Sequence, residues 1–394
     1  MDGGLKIAVV GCGPGGLASA LFLHRAGHSV TLFDQFATPQ PLGSGLLIQP
    51  SGQHVLNRLG LLDTIREKSA TVRRLSGTNV LSGKRALDME FGHLSNGAMA
   101  LGIHRASLFD CLFDAVLKTE IPLHTGCVLA DAKVGNGGVN LRFGSGIDFG
   151  VFDLMIDASG ARSQLASGAE HILPFAAFWT TVDMPVGSTI ADGALDQRYW
   201  AASKMAGIMP IGINPATGNQ GAALFWSVKP ENADAILDRC VEEWSAEFLA
   251  LWPQAAPFVA QVKSTKVLTL AIYRHRTGRA VSQNRIFHIG DSWHCTSPQL
   301  GQGANMALID AAAVAAAISF ADRIEFVGHH YRHLRADHVL LYQWLSYIFT
   351  PLYQSDSKLL PTLRDLIIHN FAKVPLVRNL IARVVSGNLG NTFA

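Results

Sequence analysis

The chain has 394 residues, 48% of them hydrophobic and only 16% charged, with a net charge of +2. That balance describes a well-packed enzyme with room for more than one domain, and excludes a disordered or nucleic-acid-coating chain. Five cysteines (Cys12, Cys111, Cys127, Cys240, Cys295), scattered and without C-x-x-C spacing, fit reduced thiols in a cytoplasm better than a disulfide framework or a metal site.

The apolar run Lys6 to Val10 reads as a strand entered almost at once, which leaves no room for a charged leader and an apolar signal segment. It runs into Gly11-Cys12-Gly13-Pro14-Gly15-Gly16, a G-x-G-x-x-G turn, and then into a helix reaching Gly27. Gly11 permits the tight turn, Gly13 lets backbone approach a pyrophosphate, and Gly16 lets the helix pack on the strand. Phosphates would meet free N–H groups and the positive end of the helix dipole. A second strand, Val30 to Phe33, ends at Asp34, where a carboxylate can accept from both hydroxyls of an adenine-linked ribose. These features predict a bound dinucleotide.

A Pro/Gly-rich loop, Thr38 to Gly45, precedes a predicted helix from Ser51 to Leu59. Strand-like stretches at 71–81 and 84–90 suggest an excursion out of the nucleotide domain. Arg105 opens a helix whose apolar stripe is Leu108, Leu112, Phe113, Val116 and Leu117. Strands near 121–134 and 139–143 follow, then a buried-strand pattern from Phe152 to Asp157 that runs into Ala158-Ser159-Gly160. Residues 172–274 read as β-rich, with strands at Trp179–Met184, Tyr199–Met209 and Ala222–Val228 and a helical stretch at 231–249. Tyr199, Tyr273 and His275 lie in this sheet and read as ordinary packing or as contacts to a phenol-like group, and Arg274-His275-Arg276, with Arg279 nearby, reads as a solvated basic loop or as a cluster that attracts an anionic substrate or cofactor. A last strand ends at Gly290-Asp291, and a long helix starts after the glycines at 301–303. The apolar stretch Ala304 to Ala321 contains Asn305 and Asp310 and reads as a buried helix, not a membrane span.

The segment Gly290 to Asn305 joins a strand end, an acid, a proline and a glycine-rich helix start within sixteen residues. With the opening fingerprint, with Arg105 in His104-Arg105-Ala106-Ser107-Leu108, and with the loop Gly43 to Pro50, it closely resembles the single-component FAD-dependent monooxygenases of the aromatic hydroxylase type. The resemblance covers roughly residues 5–320. It implies an α/β fold: a Rossmann-like FAD-binding domain (1–70, 98–170 and 276–330) interleaved with a β-sheet substrate domain (71–97 and 171–275), followed by C-terminal helices (331–394).

The resemblance also implies FAD as cofactor, with NADH or NADPH as electron donor. Reduced flavin would react with O2 to give a C4a-hydroperoxide that hydroxylates a mostly apolar aromatic or other electron-rich small molecule. The implied cofactor-binding residues are Gly11, Gly13, Pro14, Gly15, Gly16, Asp34, Gln35, Gly45, Arg105, Val128, Ser159, Gly160, Asp291, Pro298, Gly301, Gly303, Ala304 and Asn305. Asp291 would hold a ribityl hydroxyl, and the turn from Gly301 to Asn305 would offer N–H groups to the flavin N1–C2=O edge. His294 beside the ring reads either as a proton-transfer group or as a neutral core histidine that orients its loop. Gln49 either faces the substrate side of the flavin or caps a loop. Both are carried as catalytic candidates.

One departure stands out. Where the family shows Gly-Ala-Asp-Gly, a serine and a later arginine, this chain has Asp157-Ala158-Ser159-Gly160-Ala161-Arg162-Ser163, with Ala166 at the arginine position. In the family that motif serves FAD and the nicotinamide donor, so dehydrogenation, reduction, halogenation or FAD binding without turnover remain the alternatives. The tail from His338 to Val385, in which apolar positions alternate with Arg364, Lys373, Arg378 and Arg383, is similar to the tail helices of ubiquinone-type hydroxylases. It reads as an amphipathic cap, with a homodimer surface or a weak membrane-surface contact as the other readings.

Overall fold

The computed structural model describes residues 4–38, 44–94, 97–371 and 374–390. Gly43 of the expected flavin-side loop and Lys373 of the tail lie outside the described residues.

The fold is α/β. Its first sheet has six strands in the order Val281–Ser282, Ile286–His288, Leu154–Asp157, Lys6–Val10, Ser29–Phe33, Leu123–His124. All neighbours run parallel except the first pair. Ile7, Ala8 and Val9 are fully buried, as a parallel strand covered on both faces requires. Helices Pro14–Arg25 and Gly303–Phe320 pack against each other beside this sheet. Among the described residues, Gly303–Phe320 is long and apolar enough to cross a membrane, but most of it is buried between Pro14–Arg25 and the helix Ile324–Tyr353. It is the core helix its sequence suggests.

The second sheet has eight strands, in the order His294–Cys295, Thr269–Thr277, His171–Asp183, Gln220–Val228, Lys204–Ile213, Ala194–Trp200, Arg74–Asn79, Arg85–Glu90. Alternation along each strand divides its side chains between two cores. Ile208, Leu224 and Trp226 pack with Trp244, Phe248 and Trp252 of the helical stretch. Met209, Ile211 and Ala223 face the other way, toward Leu47 of the strand Gly45–Ile48 and toward Ala382 and Val385 of the terminal helix Pro375–Val385.

Several elements differ from their sequence reading. The strand expected at Tyr199–Met209 is two strands, broken by a turn at which Ala201 takes φ +53°. Leu117 is 58% exposed, because the helix Arg105–Leu117 ends there and its last turn passes the edge of the core. Three expected domain boundaries fall inside elements: 70/71 in the strand Ala70–Val72, 275/276 in Thr269–Thr277, and 330/331 in the 30-residue helix Ile324–Tyr353. Arg276 lies within a strand and is buried, so the basic loop read at 274–276 is not a solvated one.

The helix Leu359–Phe371 carries its charges inward. Arg364 and Asp365 form a buried pair, with Arg364 over the rings of Tyr199 and Tyr353 and Asp365 accepting from Asn79 Nδ2 at 2.6 Å. Leu359, Leu363, Leu366 and Ile367 point outward at helical spacing. The cap is therefore amphipathic in the opposite sense to a solvated helix.

Candidate active site

A cleft of about 450 Å³ opens at the carboxyl ends of the parallel strands, where open α/β sheets bind ligands. Fourteen of the sequence-derived residues line it together: Gly11, Gly13, Pro14, Gly15, Gly16, Asp34, Gln35, Arg105, Val128, Ser159, Gly160, Asp291, Gly303 and Ala304.

The glycines divide by what surrounds them. Gly11 takes φ +108°, and a Cβ there would stand 2.4 Å from the Ala158 carbonyl. A Cβ on Gly16 would stand 1.9 Å from the Gly11 carbonyl, so helix and turn meet without room for a side chain. Gly13 and Gly303 are different: a Cβ on either would have nothing within 4 Å and would project into open space. Each sits at the start of a helix (Pro14–Arg25 and Gly303–Phe320) whose N-cap makes no side-chain hydrogen bond. Two sets of free N–H groups, with the positive ends of two helix dipoles, thus face one cleft. That arrangement fits the phosphates and an electron-rich ring edge of a flavin dinucleotide.

Asp34 is anchored before any ligand arrives. Its Oδ2 accepts from Cys12 N at 2.8 Å and its Oδ1 from Phe36 N at 2.9 Å, which leaves each oxygen lone pairs for a ribose hydroxyl. Burial, with Asp34 beside it, pushes the Cys12 thiol up, so Cys12 fills space beneath the turn as a neutral thiol.

The altered turn is organised by a carboxylate two residues earlier than the family's. Asp157 is fully buried and accepts from Ser159 Oγ at 2.5 Å, Ser163 Oγ at 2.6 Å and Ser159 N at 3.1 Å. His288 Nδ1 lies 2.8 Å from Oδ2, the oxygen that also accepts from Ser163, and His288 Nε2 is held by Ser282 Oγ at 2.9 Å. Burial raises the Asp157 carboxyl, and the His288 and serine contacts more than offset it, leaving it below the usual range. The acid that the family places at position 159 is therefore replaced by Ser159, bonded back to Asp157.

Asp291 stands at the mouth of the cleft with its side chain exposed to it, walled by protein on the remaining sides. Burial raises its carboxyl, against the pull of His294, Arg105 and Arg276. Arg276 donates to the Ala161 carbonyl and, at 3.4 Å, to the Asp291 carbonyl, tying the two loops that frame the cleft. Glu170 pairs with Arg276 at 3.6 Å.

Six sequence-derived residues, Gly45, Gln49, His294, Pro298, Gly301 and Asn305, lie outside the cleft lining. Gly45 presses on the second sheet, and a Cβ there would meet Ile211, Met209 and Ala223 within 3 Å. Pro298 opens the turn Pro298–Leu300, and Gly301 ends it at φ +61°. Asn305, in the turn expected to offer its N–H groups to the flavin, spends its side chain on protein: Oδ1 accepts from Gln49 N at 2.8 Å, and Nδ2 donates to the Leu47 and Gly301 carbonyls at 3.0 Å. It bolts the flavin-side strand to the glycine turn. His294 is buried, with Nε2 2.7 Å from Asp310 Oδ2, a contact that suits the orienting reading. Gln49 is fully buried, and neither of its amide atoms has a partner among the described residues.

Asp157, His288, Arg276, Asp310 and Arg335 carry much of this framework, and the sequence reading gave none of them a role in it. The available signal was an acid in an otherwise apolar strand or helix, since a buried carboxylate requires partners.

The sequence matches the FAD binding domain family over residues 5–126 and 153–323. It is 24% identical over 336 residues to 3-amino-4-hydroxybenzoate 2-monooxygenase of Streptomyces cremeus, covering 79% of this chain and 77% of the relative. It is 26% identical over 326 residues to 6-hydroxynicotinate 3-monooxygenase of Bordetella bronchiseptica, covering 79% and 82%. The fold is similar to that of Klebsiella pneumoniae HpxO, solved with FAD and uric acid, at a TM-score of 0.81 and 18% identity over 98% of each chain. The chain belongs to the FAD-binding-domain family, as a single-component FAD-dependent monooxygenase of the aromatic hydroxylase type.

Proposed function

We propose that the protein hydroxylates a small, mostly apolar aromatic or electron-rich molecule, using O2 and electrons from NADH or NADPH. The observation that carries this reading is the apolar cluster beside the glycine turn: Leu47 on the strand Gly45–Ile48 packs with Met209, Ile211 and Ala223 of the second sheet, and Asn305 ties the Leu47 carbonyl to that of Gly301. Bound FAD supplies the oxygen activation and the electron transfer. The chain's own residues bind, orient and keep water out. Gly13 and Gly303 leave room for backbone approach, Asp34 and Asp291 accept from hydroxyls, and Asn305 holds the glycine turn against the flavin-side strand.

The relatives' names support an aromatic substrate, and a substituted benzoate and a pyridine ring both occur among them. Anaerobic stopped-flow reduction of the bound flavin by NADH and by NADPH, over a panel of phenols and heteroaromatics, tests the donor. Oxygen uptake matched to hydroxylated product tests the reaction. Donor oxidation that is coupled to reduced product, without oxygen uptake, would transfer the protein to the reductase reading.

The outward stripe Leu359, Leu363, Leu366 and Ile367, together with exposed Leu376 and Leu380, is the surface we assign to contact with a second copy or a bilayer. Sedimentation velocity at rising concentration and flotation with anionic vesicles separate the two.

A further inference from the structure

The terminal helix Pro375–Val385 packs on the apolar cluster around Leu47 and is tied to Gln302, the residue before the cleft-lining Gly303. Ala382 and Val385 are buried against the apolar wall that contains Leu47, Met209 and Ile211, whereas Leu376 and Leu380 on its other side are exposed. Its polar ties gather on the main chain of the last turn and of the residues just after it, where His338 meets Gly387 and Tyr342 meets Leu389. Tyr342 Oη donates to the Val384 carbonyl at 2.6 Å, Gln302 Nε2 to the Val385 carbonyl, and Ser51 N to the Ser386 carbonyl at 3.2 Å. Beneath this turn four buried polar atoms have no partner among the described residues: Gln49 Nε2 and Oε1, Ser51 Oγ and Gln302 Oε1. They belong to one neighbourhood. A Cβ on Gly387 would stand 2.1 Å from Ser51 Oγ and 3.0 Å from Gln302 Oε1, and a Cβ on Gly301 would stand 3.4 Å from Gln49 Nε2.

Buried donors and acceptors without partners penalise the closed arrangement, because water would satisfy them. A cover held by a handful of main-chain contacts over such a patch is poised to exchange with an open arrangement in which ligand or water groups reach those atoms. We propose that residues 382–387 are a detachable strap. It lifts to admit the substrate and closes over it, and Gln49, Ser51 and Gln302 then offer their free groups to a substrate that has both hydrogen-bond donors and acceptors on an aromatic frame. This rests on the hydroxylase reading above for the identity of the guest, and not for the motion of the strap.

Gly387 is the point at which the strap can be tested. It takes φ +78°, a conformation costly for an L-residue, and its approach to Ser51 leaves no room for a methyl group. Ser51 lies in the first turn of the helix Pro50–Arg58, so its amide has no intrahelical acceptor, and its exchange with solvent deuterium reports the strap directly. In the wild type the Ser51 amide and the amides at 382–387 should exchange together, and much faster than those of the core helix Gly303–Phe320. Gly387→Ala should speed both several-fold and raise iodide quenching of bound flavin fluorescence. Tyr342→Phe, which removes one hydroxyl from a different helix, should act in the same direction to a smaller extent.

Exchange at 382–387 as slow as in the core helix overturns the strap, and so does released exchange with unchanged quenching. A protein that refuses FAD would instead overturn the flavoenzyme reading, and deuterium exchange would still decide the strap.

Discussion

His294 Nε2 lies 2.7 Å from Asp310 Oδ2, and this contact, buried on both sides, turns a histidine beside the expected flavin ring into part of the frame. The other Asp310 oxygen accepts from Arg335 Nε at 2.7 Å, and Gly290 N donates to Asp310 Oδ2 at 2.8 Å. Burial raises the Asp310 carboxyl, but His294, Arg335 and the Gly290 amide outweigh it and hold it at about 2. One carboxylate thus joins the strand end at Gly290, the loop at His294 and the long helix Ile324–Tyr353.

Asp310→Ala leaves Arg335 buried and uncompensated, and is expected to cost about 3–5 kcal/mol of stability. Urea unfolding of the variant measures it. His294→Gln retains a donor toward Asp310, so flavin reduction and product formation should stay within a few-fold of the wild type, with an unshifted pH profile. A loss of several orders of magnitude would return His294 to proton transfer.

Gly13→Val separates folding from cofactor binding. The backbone there, φ −68° and ψ 173°, suits any residue, and a Cβ meets no protein atom within 4 Å. The variant should therefore unfold at the wild-type urea midpoint yet purify colourless. Gly11→Ala, at φ +108° and facing the Ala158 carbonyl, should lower both stability and flavin content.

Asp291→Ala removes a carboxylate that faces the cleft. Hydrogen bonds to charged groups contribute about 1.5–3 kcal/mol. FAD should therefore bind roughly 10–100-fold more weakly, as read by fluorescence titration. Unchanged flavin occupancy after dialysis would remove Asp291 from the site.

His338 carries a pH dependence. Burial and the neighbouring Arg335 lower its pKa from 6.5 to about 3. The unfolded chain takes up this proton below pH 6.5, while the folded protein resists it until about pH 3, so the contribution is complete above 6.5 and is lost as pH falls toward 3. The slope from this group is at most about 1.4 kcal/mol per pH unit. His338→Gln should flatten the fall in urea midpoint between pH 6.5 and 4.5, the upper part of the window set by those two values; an unchanged fall would show that His338 protonates freely in the folded protein.

The near end of the cleft was legible because its information is local. Gly11, Gly13, Gly16 and Asp34 lie on one strand-turn-helix-strand unit, where spacing along the chain fixes spacing in space. Apolar period likewise determined that Gly303–Phe320 is a core helix and that two sheets alternate with helices. Periodicity reports which side of an element is apolar, and says nothing of which distant polar group meets it. Gln49 and Asn305 are 256 residues apart, and the tertiary fold alone gave their side chains opposite roles, one without a partner and the other fully bonded. Tertiary packing also decided that His294 meets Asp310, that Arg276 is buried, that Arg364 faces inward beneath a leucine-covered surface, and that the helix Pro375–Val385 packs on the apolar cluster around Leu47. Each depends on satisfying a buried polar or charged group, and the partner that does so is set only when distant segments meet.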